Sequence, residues 1–305
     1  MAVRFVIWIG TEHPWHEVAE TARVADETGW DGIYLADHFM ANEKPPGLGP
    51  RLEAWTALSA LGVLTARARL GVLVSSNTYR HPAIVANMAA TTDRISDGRL
   101  VLGLGAGWQA NEHLAYGIEL YEIPERLARL EEACEVVRLL LAEERSSFDG
   151  RYYHLVDAPC EPKPVQARLP ILLGTSGERI GMAVAARRAD IWNCWGTPET
   201  IAHKIAVLDA HCEAASRDPA SLGRSTQALL YLSTDRTALA QLRERPPVMP
   251  TLIGTPSEIT EQLASYDQLG VDEFVVLDRT LGGSLGERLE TMARFLEDVA
   301  GPLRG

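Results

Sequence analysis

The sequence predicts an α/β protein built as a (β/α)8 barrel. Short apolar runs alternate with longer segments of helical periodicity along almost the whole chain of 305 residues. Eight of the apolar runs have the pattern of buried strands, and helical sequence follows each of them. Eight such units in a chain of about this length are what a closed barrel of parallel strands requires. A doubly wound open sheet is the competing architecture.

Each predicted strand is a short, mostly apolar run, which is typical of parallel strands buried on both faces. The eight strands are expected at residues 3–9, 33–36, 69–75, 100–104, 171–174, 190–193, 225–232 and 273–277. Residues 147–156 have the chemistry of a β-hairpin that turns at Asp149 and Gly150, and this hairpin interrupts the alternation.

The helices are predicted from apolar residues repeated every three or four positions and from residues typical of helix ends. In the first helix Val18, Ala22 and Ala25 form one apolar face, and Gly29 ends it. Pro82 stands in the first turn of the third helix, where a missing N–H costs little. The predicted helices span residues 15–28, 52–66, 82–95, 124–141, 178–187, 200–214, 257–269 and 285–299. Residues 243–250 contain three prolines and are expected to form a loop.

Composition and charge exclude several classes of protein. Hydrophobic residues make up 46% and charged residues 23% of the chain, which excludes a disordered protein. The net charge of −12 argues against sequence-independent binding to nucleic acid or to anionic membranes, because both need excess Lys and Arg. The four cysteines form no C-x-x-C pair, and no apolar stretch is long enough to span a bilayer. We therefore expect one reduced, cytoplasmic domain over residues 1–305, with no metal site.

Three glycines at the end of the fourth predicted strand form the motif GLGAGW at residues 103–108. A dinucleotide fingerprint needs a glycine where Trp108 stands, and no helix-compatible sequence directly follows the motif. Glycines here allow a flat ligand or a phosphate to approach the backbone closely, and a tight turn is the alternative. Because barrel sites lie at the C-terminal ends of the strands, ligand contact is the favoured interpretation.

Two acid–histidine pairs follow the first two predicted strands. Glu12 and His13 come after the first strand, and Asp37 and His38 come after the second. A histidine at a barrel rim suits acid–base chemistry, because it exchanges a proton near neutral pH. A structural histidine satisfied by a neighbour is the alternative. In a barrel both pairs face one pocket, which favours a functional role.

A turn between a strand and a helix, GTSGER at residues 174–179, has the chemistry of a phosphate site. Free N–H groups, a hydroxyl group and Arg179 at a helix N-terminus suit a phosphate. Ordinary helix capping by Thr175 or Ser176 explains the same residues.

The remaining candidates carry weaker signals. Asn111, Glu112 and His113 are expected in a loop, either lining a pocket or facing solvent. Cys194 is predicted to be a small buried residue rather than a nucleophile. Several of the seven tryptophans lie near strand ends or in loops, which fits an apolar cavity for a planar cofactor and also fits a large core.

Three segments together carry a family resemblance: VSSNTYRHP at residues 74–82, NMAATTDRISDGR at residues 87–99 and the GLGAGW motif. They resemble the bacterial-luciferase-like superfamily of flavin enzymes. The resemblance extends through residues 174–179, 189–193 and 254–256, so it covers nearly the whole chain. The forms NTYRHP and GAGW are closer to the deazaflavin, or coenzyme F420, branch than to the FMN-dependent monooxygenases.

The resemblance implies a TIM barrel with an insertion, a deazaflavin bound across the C-terminal rim, and a homodimer. It implies a bulge in the third strand around Leu73 and Val74, often with a non-proline cis peptide that supports the ring. Contacts to the ring and ribityl chain are implied for Asp37, Asn77, Gly105, Ala106, Gly107 and Trp108. The phosphate is implied to lie against Thr175, Ser176, Gly177 and Arg179.

The resemblance also assigns catalytic roles. His38 and Glu12 match positions that line the reacting face in sugar-phosphate dehydrogenases of the superfamily. Those enzymes carry a glutamate proton donor where this chain has Trp108, so we do not expect glucose 6-phosphate chemistry. We expect hydride transfer between C5 of the deazaflavin and a small molecule or natural product, with reduction of an activated C=C or C=N. His38 is expected to donate the proton, and Glu12 to orient or replace it.

Two alternatives remain open from the sequence. One is an FMN-dependent monooxygenase of the same fold, which uses O2 and takes reduced flavin from a partner reductase. The other is a barrel that binds the cofactor without turnover. Loops at residues 41–50 and 243–251 are predicted to form the walls of the substrate pocket.

Overall fold

The computed structural model describes residues 3–42 and 49–304, and within these residues the predicted barrel is present. The strands are β1 (Arg4–Ile9), β2 (Gly32–Leu35), β3 (Arg69–Val72), β4 (Ser75–Ser76), β5 (Leu100–Gly105), β6 (Ser146–Asp149), β7 (His154–Ala158), β8 (Ile171–Gly174), β9 (Ile191–Trp195), β10 (Gly223–Leu232), β11 (Thr251–Gly254) and β12 (Glu273–Leu277). Parallel pairing runs through β1, β2, β3, β5, β8, β9, β10 and β12, and β12 pairs with β1 to close the barrel.

Helices surround the barrel and connect its strands. They are α1 (Trp15–Thr28), α2 (Ala54–Leu64), α3 (Pro82–Ile95), α4 (Ala110–Tyr116), α5 (Ile123–Ala142), α6 (Gly181–Arg188), α7 (Pro198–Ala214), α8 (Arg236–Glu244), α9 (Pro256–Gln268), α10 (Leu285–Phe295) and α11 (Gly301–Arg304). Local chemistry sets their ends: Gly29, with φ of 110°, ends α1 as predicted, and Ser284 and Glu287 form a capping box at the start of α10.

The structure differs from the predicted elements in three places. Residues 69–75 form two strands, β3 and β4, where one was predicted. Strand β11 follows the proline-rich segment and pairs with β10 outside the barrel, because four residues after a proline carry too weak a strand pattern. Helix α4 occupies the loop expected directly after GLGAGW, and α8 runs from unassigned residues into the loop expected at residues 243–250.

The apolar side chains form two cores. The larger lies between the sheet and the surrounding helices. The smaller fills the barrel and consists of Val6, Tyr34, Leu73, Val101, Leu172, Ile191 and Val275, against which Trp8 and Val74 pack. Trp8 lies toward the C-terminal end of β1 and Val74 lies between β3 and β4; both are only partly buried, so they form the upper layer of the barrel interior.

Between β3 and β4, Leu73 and Val74 cross the ends of the neighbouring strands β5 and β8. The peptide bond between these two residues is cis, as the resemblance implies. A Cβ on Gly105 would lie 2.6 Å from Val74 Cγ2, and a Cβ on Gly174 would lie 3.0 Å from both of its γ-methyl groups. A Cβ on Gly103 would lie 1.9 Å from the Val72 carbonyl oxygen. Packing therefore requires small residues at the ends of β5 and β8.

We predict that Gly103→Ala lowers the free energy of unfolding by about 3 kcal/mol, because backbone must move to admit the methyl group. Urea titration measures this change. Gly286→Ala is the matched control: in α10 a Cβ at this position meets no atom within 4 Å. The control should have the free energy of unfolding of the wild type or exceed it by up to about 1 kcal/mol. Equal stability of the two variants would contradict the packing argument.

Candidate active site

His38 stands at the C-terminal rim, where the chain leaves β2, and a buried glutamate orients its ring. The Nδ1 atom lies 2.6 Å from Oε1 of Glu112, and the backbone N–H of Phe39 donates to Oε2 at 2.6 Å. Because a carboxylate only accepts hydrogen bonds, Nδ1 carries the hydrogen and Nε2 is left for other partners. The His38 side chain is 27% exposed, whereas Glu112 is completely buried.

Glu112 and His113 correct the loop expected for this segment, because both are buried residues of α4. His113 is structural: its Nδ1 lies 2.8 Å from the Gln109 carbonyl oxygen, and its Nε2 lies 2.7 Å from Thr78 Oγ1. Glu112 replaces Glu12 as the carboxylate beside His38. The residues after GLGAGW have few helix breakers, which is the local signal that the sequence analysis missed.

Trp108 lies beside His38. The two ring centroids are 5.4 Å apart with an interplanar angle of 78°, and Trp108 is 59% exposed. An indole this exposed at the barrel rim offers an apolar face to a planar ligand.

The preceding residues, Ala106 and Gly107, are half-buried. Gly107 has φ of 82°, and a Cβ there would lie 2.7 Å from the hydroxyl oxygens of Ser76 and Thr78. Packing therefore explains the glycines of the motif, including Gly105, without requiring a ligand.

Asp37 is buried and joins β2 to β4 and α3. Its carboxylate accepts hydrogen bonds from Ser75 Oγ at 2.9 Å and from the Ser76 N–H at 3.2 Å. It also accepts two from the guanidinium of Arg80, at 2.6 and 3.0 Å. These four protein donors satisfy Asp37, so it anchors the rim beside His38.

Glu12 and His13 reach the same rim through other contacts. Glu12 Oε2 accepts a hydrogen bond from Arg51 at 2.6 Å, and the described contacts of His38 do not include Glu12. The Nε2 atom of His13 lies 3.2 Å from the buried carboxylate of Asp278. This contact raises the pKa of His13 above its ordinary value, although burial opposes the shift.

Asn77 connects the rim to the β6–β7 hairpin. Its backbone N–H donates to the Gly105 carbonyl at 2.9 Å, and its Nδ2 donates to the Tyr153 hydroxyl at 3.1 Å. Burial raises the pKa of Tyr153, so the phenol keeps its proton. The hairpin that interrupts the alternation thus supports one of the predicted cofactor residues.

The turn at residues 174–179 presents exposed polar groups. Ser176, Gly177 and Arg179 are exposed, and a Cβ on Gly177 would meet no atom within 4 Å. Thr175 lies deeper, with its N–H on the Asn193 carbonyl at 3.1 Å. Helix α6 begins at Gly181 after the cap residue Ile180, which makes no side-chain cap, so the capping expected from Thr175 or Ser176 is wrong.

These groups fit a flat, phosphate-bearing cofactor. The Nε atom of Arg126 is buried without a partner among the described residues, and the same guanidinium donates to the Gly107 carbonyl oxygen. An exposed indole at Trp108, an imidazole at His38 and an exposed arginine at residue 179 complete the set. The rim therefore offers an apolar face, an imidazole and a turn with exposed polar and cationic groups.

Other sequence predictions are resolved more simply. Cys194 is buried, as predicted, and burial raises the pKa of its thiol to about 11, which disfavours the thiolate. Of the two predicted pocket loops, residues 43–48 lie outside the described residues, and Arg243 belongs to α8. Within the described ranges, no helix has both the length and the apolar character that a membrane crossing needs.

Comparison with known sequences gives a consistent picture. A family model for luciferase-like monooxygenases matches residues 2–249. An F420-dependent glucose-6-phosphate dehydrogenase of Segniliparus rotundus is 37% identical over 294 residues, with 85% of this chain and 87% of that protein covered. A protein of the same name from Microbacterium testaceum is 37% identical over 163 residues, with 53% of this chain and 47% of that protein covered. In this second alignment the chain spans about half the length of its relative.

Solved structures show the same fold. An F420-dependent secondary alcohol dehydrogenase, in complex with an F420–acetone adduct, has a TM-score of 0.84 at 19% identity, covering 98% of this chain and 99% of that one. A monooxygenase from Streptomyces bottropensis has a TM-score of 0.83 at 22% identity, with 98% and 99% covered. At these identities the comparison supports the barrel fold alone.

We predict that Asp37→Asn lowers the free energy of unfolding by about 2–3 kcal/mol, because the buried Arg80 loses its bidentate carboxylate and keeps only Glu53. Thermal and urea unfolding measure the change. Glu20→Gln is the control: it removes an exposed carboxylate from Arg23 on α1 and should change stability much less than Asp37→Asn does. A similar small loss in both variants would show that Asp37 is no anchor.

Proposed function

The chain belongs to the luciferase-like monooxygenase family, and from this premise we propose that it is a coenzyme F420-dependent oxidoreductase. The observation that carries the proposal is the His38–Glu112 pair beside the exposed Trp108 at the barrel rim. Relatives named as F420-dependent glucose-6-phosphate dehydrogenases support the choice of cofactor.

The rim residues have distinct binding roles in this proposal. Trp108 and the backbone of residues 105–107 would hold the ring, and Asn77 would hold the polar chain. Ser176, Gly177 and Arg179 bind the phosphate through N–H groups and a guanidinium, as anion-binding turns do. Arg126, with its unpartnered Nε beside Gly107, adds a positive charge. When bound, the deazaflavin supplies hydride transfer at C5.

His38 supplies the proton. Glu112 fixes the hydrogen on Nδ1, so that Nε2 is the atom that exchanges a proton with the substrate. The backbone on both sides of His38 is anchored, by the Asp37 carboxylate and by the Phe39 N–H. The ring therefore holds its orientation without reorganisation during the reaction.

We propose that the substrate is neutral and is reduced at an activated C=C or C=N bond. Two cations near the rim are already neutralised: Arg51 donates to Glu12, and Lys204 donates to Glu178 at 2.6 Å. Trp108 replaces the glutamate that the resemblance places in sugar-phosphate dehydrogenases, which makes this side of the site apolar. Both features weigh against a phosphorylated sugar.

We predict that the purified protein binds F420 at least about tenfold more tightly than FMN, a difference of about 1.4 kcal/mol. Quenching of tryptophan fluorescence during titration measures both affinities. Arg179→Ala should weaken F420 binding, and Arg236→Ala at the start of α8 is the matched control. Tighter FMN binding with substrate-dependent O2 consumption would favour a monooxygenase, and binding of neither would overturn the cofactor assignment.

We predict that His38→Ala lowers turnover by about 10²- to 10⁴-fold and leaves the Kd for F420 unchanged, because only the proton transfer is lost. Anaerobic oxidation of reduced F420 by cyclohex-2-enone provides the assay. Glu112→Gln should cause a smaller loss and change the pH profile of kcat. His154→Ala, an exposed histidine of the hairpin, is the control. Unchanged turnover in His38→Ala would remove its assigned role.

A further inference from the structure

A chain of hydrogen bonds inside the barrel begins at Glu273, a completely buried residue at the start of β12. Its carboxylate accepts from the hydroxyl of Ser225 at 2.9 Å and from the hydroxyl of Tyr34 at 3.2 Å. A carboxylate has no hydrogen to donate, so Ser225 must use its single hydroxyl hydrogen on Glu273. The oxygen of Ser225 is therefore an acceptor for the next residue.

That residue is Asn193, whose Nδ2 donates to Ser225 Oγ at 2.9 Å. The second hydrogen of Nδ2 is donated to Oε1 of Gln227 at 2.7 Å. Asn193, Ser225 and Gln227 are all buried, so water does not compete along the chain. Glu273 thus fixes the orientation of the Gln227 amide from three residues away, with the oxygen toward Asn193 and Nε2 on the other side.

The Nε2 of Gln227 has no acceptor among the described residues, although the side chain is only 3% exposed. This amide N–H is therefore available to an acceptor that the described residues do not supply. Gln227 is the register partner of Trp195 on β9 and of Val275 on β12, which belongs to the core inside the barrel. Its side chain therefore points into the barrel.

Two indoles lie near this position. The rings of Trp8 and Trp195 are 6.0 Å apart and inclined by 50°, and both side chains are only partly buried. Trp8 stands near the C-terminal end of β1, and Trp195, which is level with Gln227 in the register, ends β9. The Gln227 donor therefore shares this part of the barrel with a pair of partly exposed indoles.

We propose that Gln227 is a specificity-determining residue whose Nε2 donates a hydrogen bond to the carbonyl oxygen of a neutral, planar, conjugated substrate held against Trp8 and Trp195. This inference rests on the proposed function and names its substrate class. The indoles select a flat, uncharged compound, and the single donor selects one that carries an acceptor. A site that leaves a buried donor unpaired rejects analogues that lack the acceptor.

The same hydrogen bond favours the reaction. In an α,β-unsaturated carbonyl compound, hydride addition at the β-carbon, which a bound reduced deazaflavin would supply, moves the C=C electron pair toward the carbonyl oxygen. The N–H of Gln227 stabilises the negative charge that develops on this oxygen. A proton from His38 adds to the α-carbon and restores the carbonyl, so the substrate gains two hydrogens and the deazaflavin is oxidised.

Gln227→Glu tests the inference with little change of volume, because it keeps the acceptor for Asn193 and replaces the donor by an oxygen. Titration of the F420-loaded protein with cyclohex-2-enone and with coumarin, followed by tryptophan fluorescence, measures binding without turnover. We expect the variant to bind both compounds about tenfold or more weakly, to lose kcat/KM for the enone, and to keep the Kd for F420. Gln241→Leu, at an exposed position of α8, is the control and should match the wild type.

The outcomes separate the two proposals. Equal binding of the carbonyl compounds by wild type and Gln227→Glu overturns the inference, as does a wild-type protein that binds F420 but neither compound. In both cases the proposed function stands. Loss of F420 binding by the wild type itself overturns the proposed function. If Gln227→Glu has a lowered melting temperature, Gln227→Met, which is neutral and of similar length, should show the same selective loss.

Discussion

The passage of the chain from β3 to β4 across the ends of β5 and β8 is the constraint on which the rim depends. Val74 occupies the space that side chains at Gly105 and Gly174 would fill, and the Val72 carbonyl occupies the space at Gly103. Only this close approach brings Ser75 and Ser76 to the Asp37 carboxylate. The glycines of the motif thus act first through packing, and the geometry of the candidate site follows from it.

The passage of the chain from β3 to β4 also helps to anchor the residues around His38. Asp37 is held by Arg80 and by the two serines, and the next residue after His38 donates its N–H to Glu112. A site built in this way needs few charged groups in contact with solvent, because its charges are buried in pairs. An acidic protein with a net charge of −12 can therefore still present an exposed cationic side chain, Arg179, in the turn at residues 174–179.

The sequence predicts the barrel well because parallel strands buried on both faces leave continuous apolar runs, and the eight runs match the eight barrel strands. It fails at α4 and β11, where short elements depend on tertiary contacts more than on local pattern. The rim residues were predictable, because they directly follow strands. The partner of His38 was not: Glu112 lies 74 residues away along the chain, and no local spacing encodes that contact.

The direction of hydrogen bonds is the property that sequence patterns reveal least. In this structure two buried glutamates set it. Glu112 forces the hydrogen of His38 onto Nδ1, and Glu273 forces successive donors along Ser225, Asn193 and Gln227. In each case an acceptor-only group, shielded from water, decides which atom of a distant side chain is left to act. The chain thus leaves Nε2 of His38 at the rim and Nε2 of Gln227 inside the barrel for other partners, although neither glutamate contacts solvent.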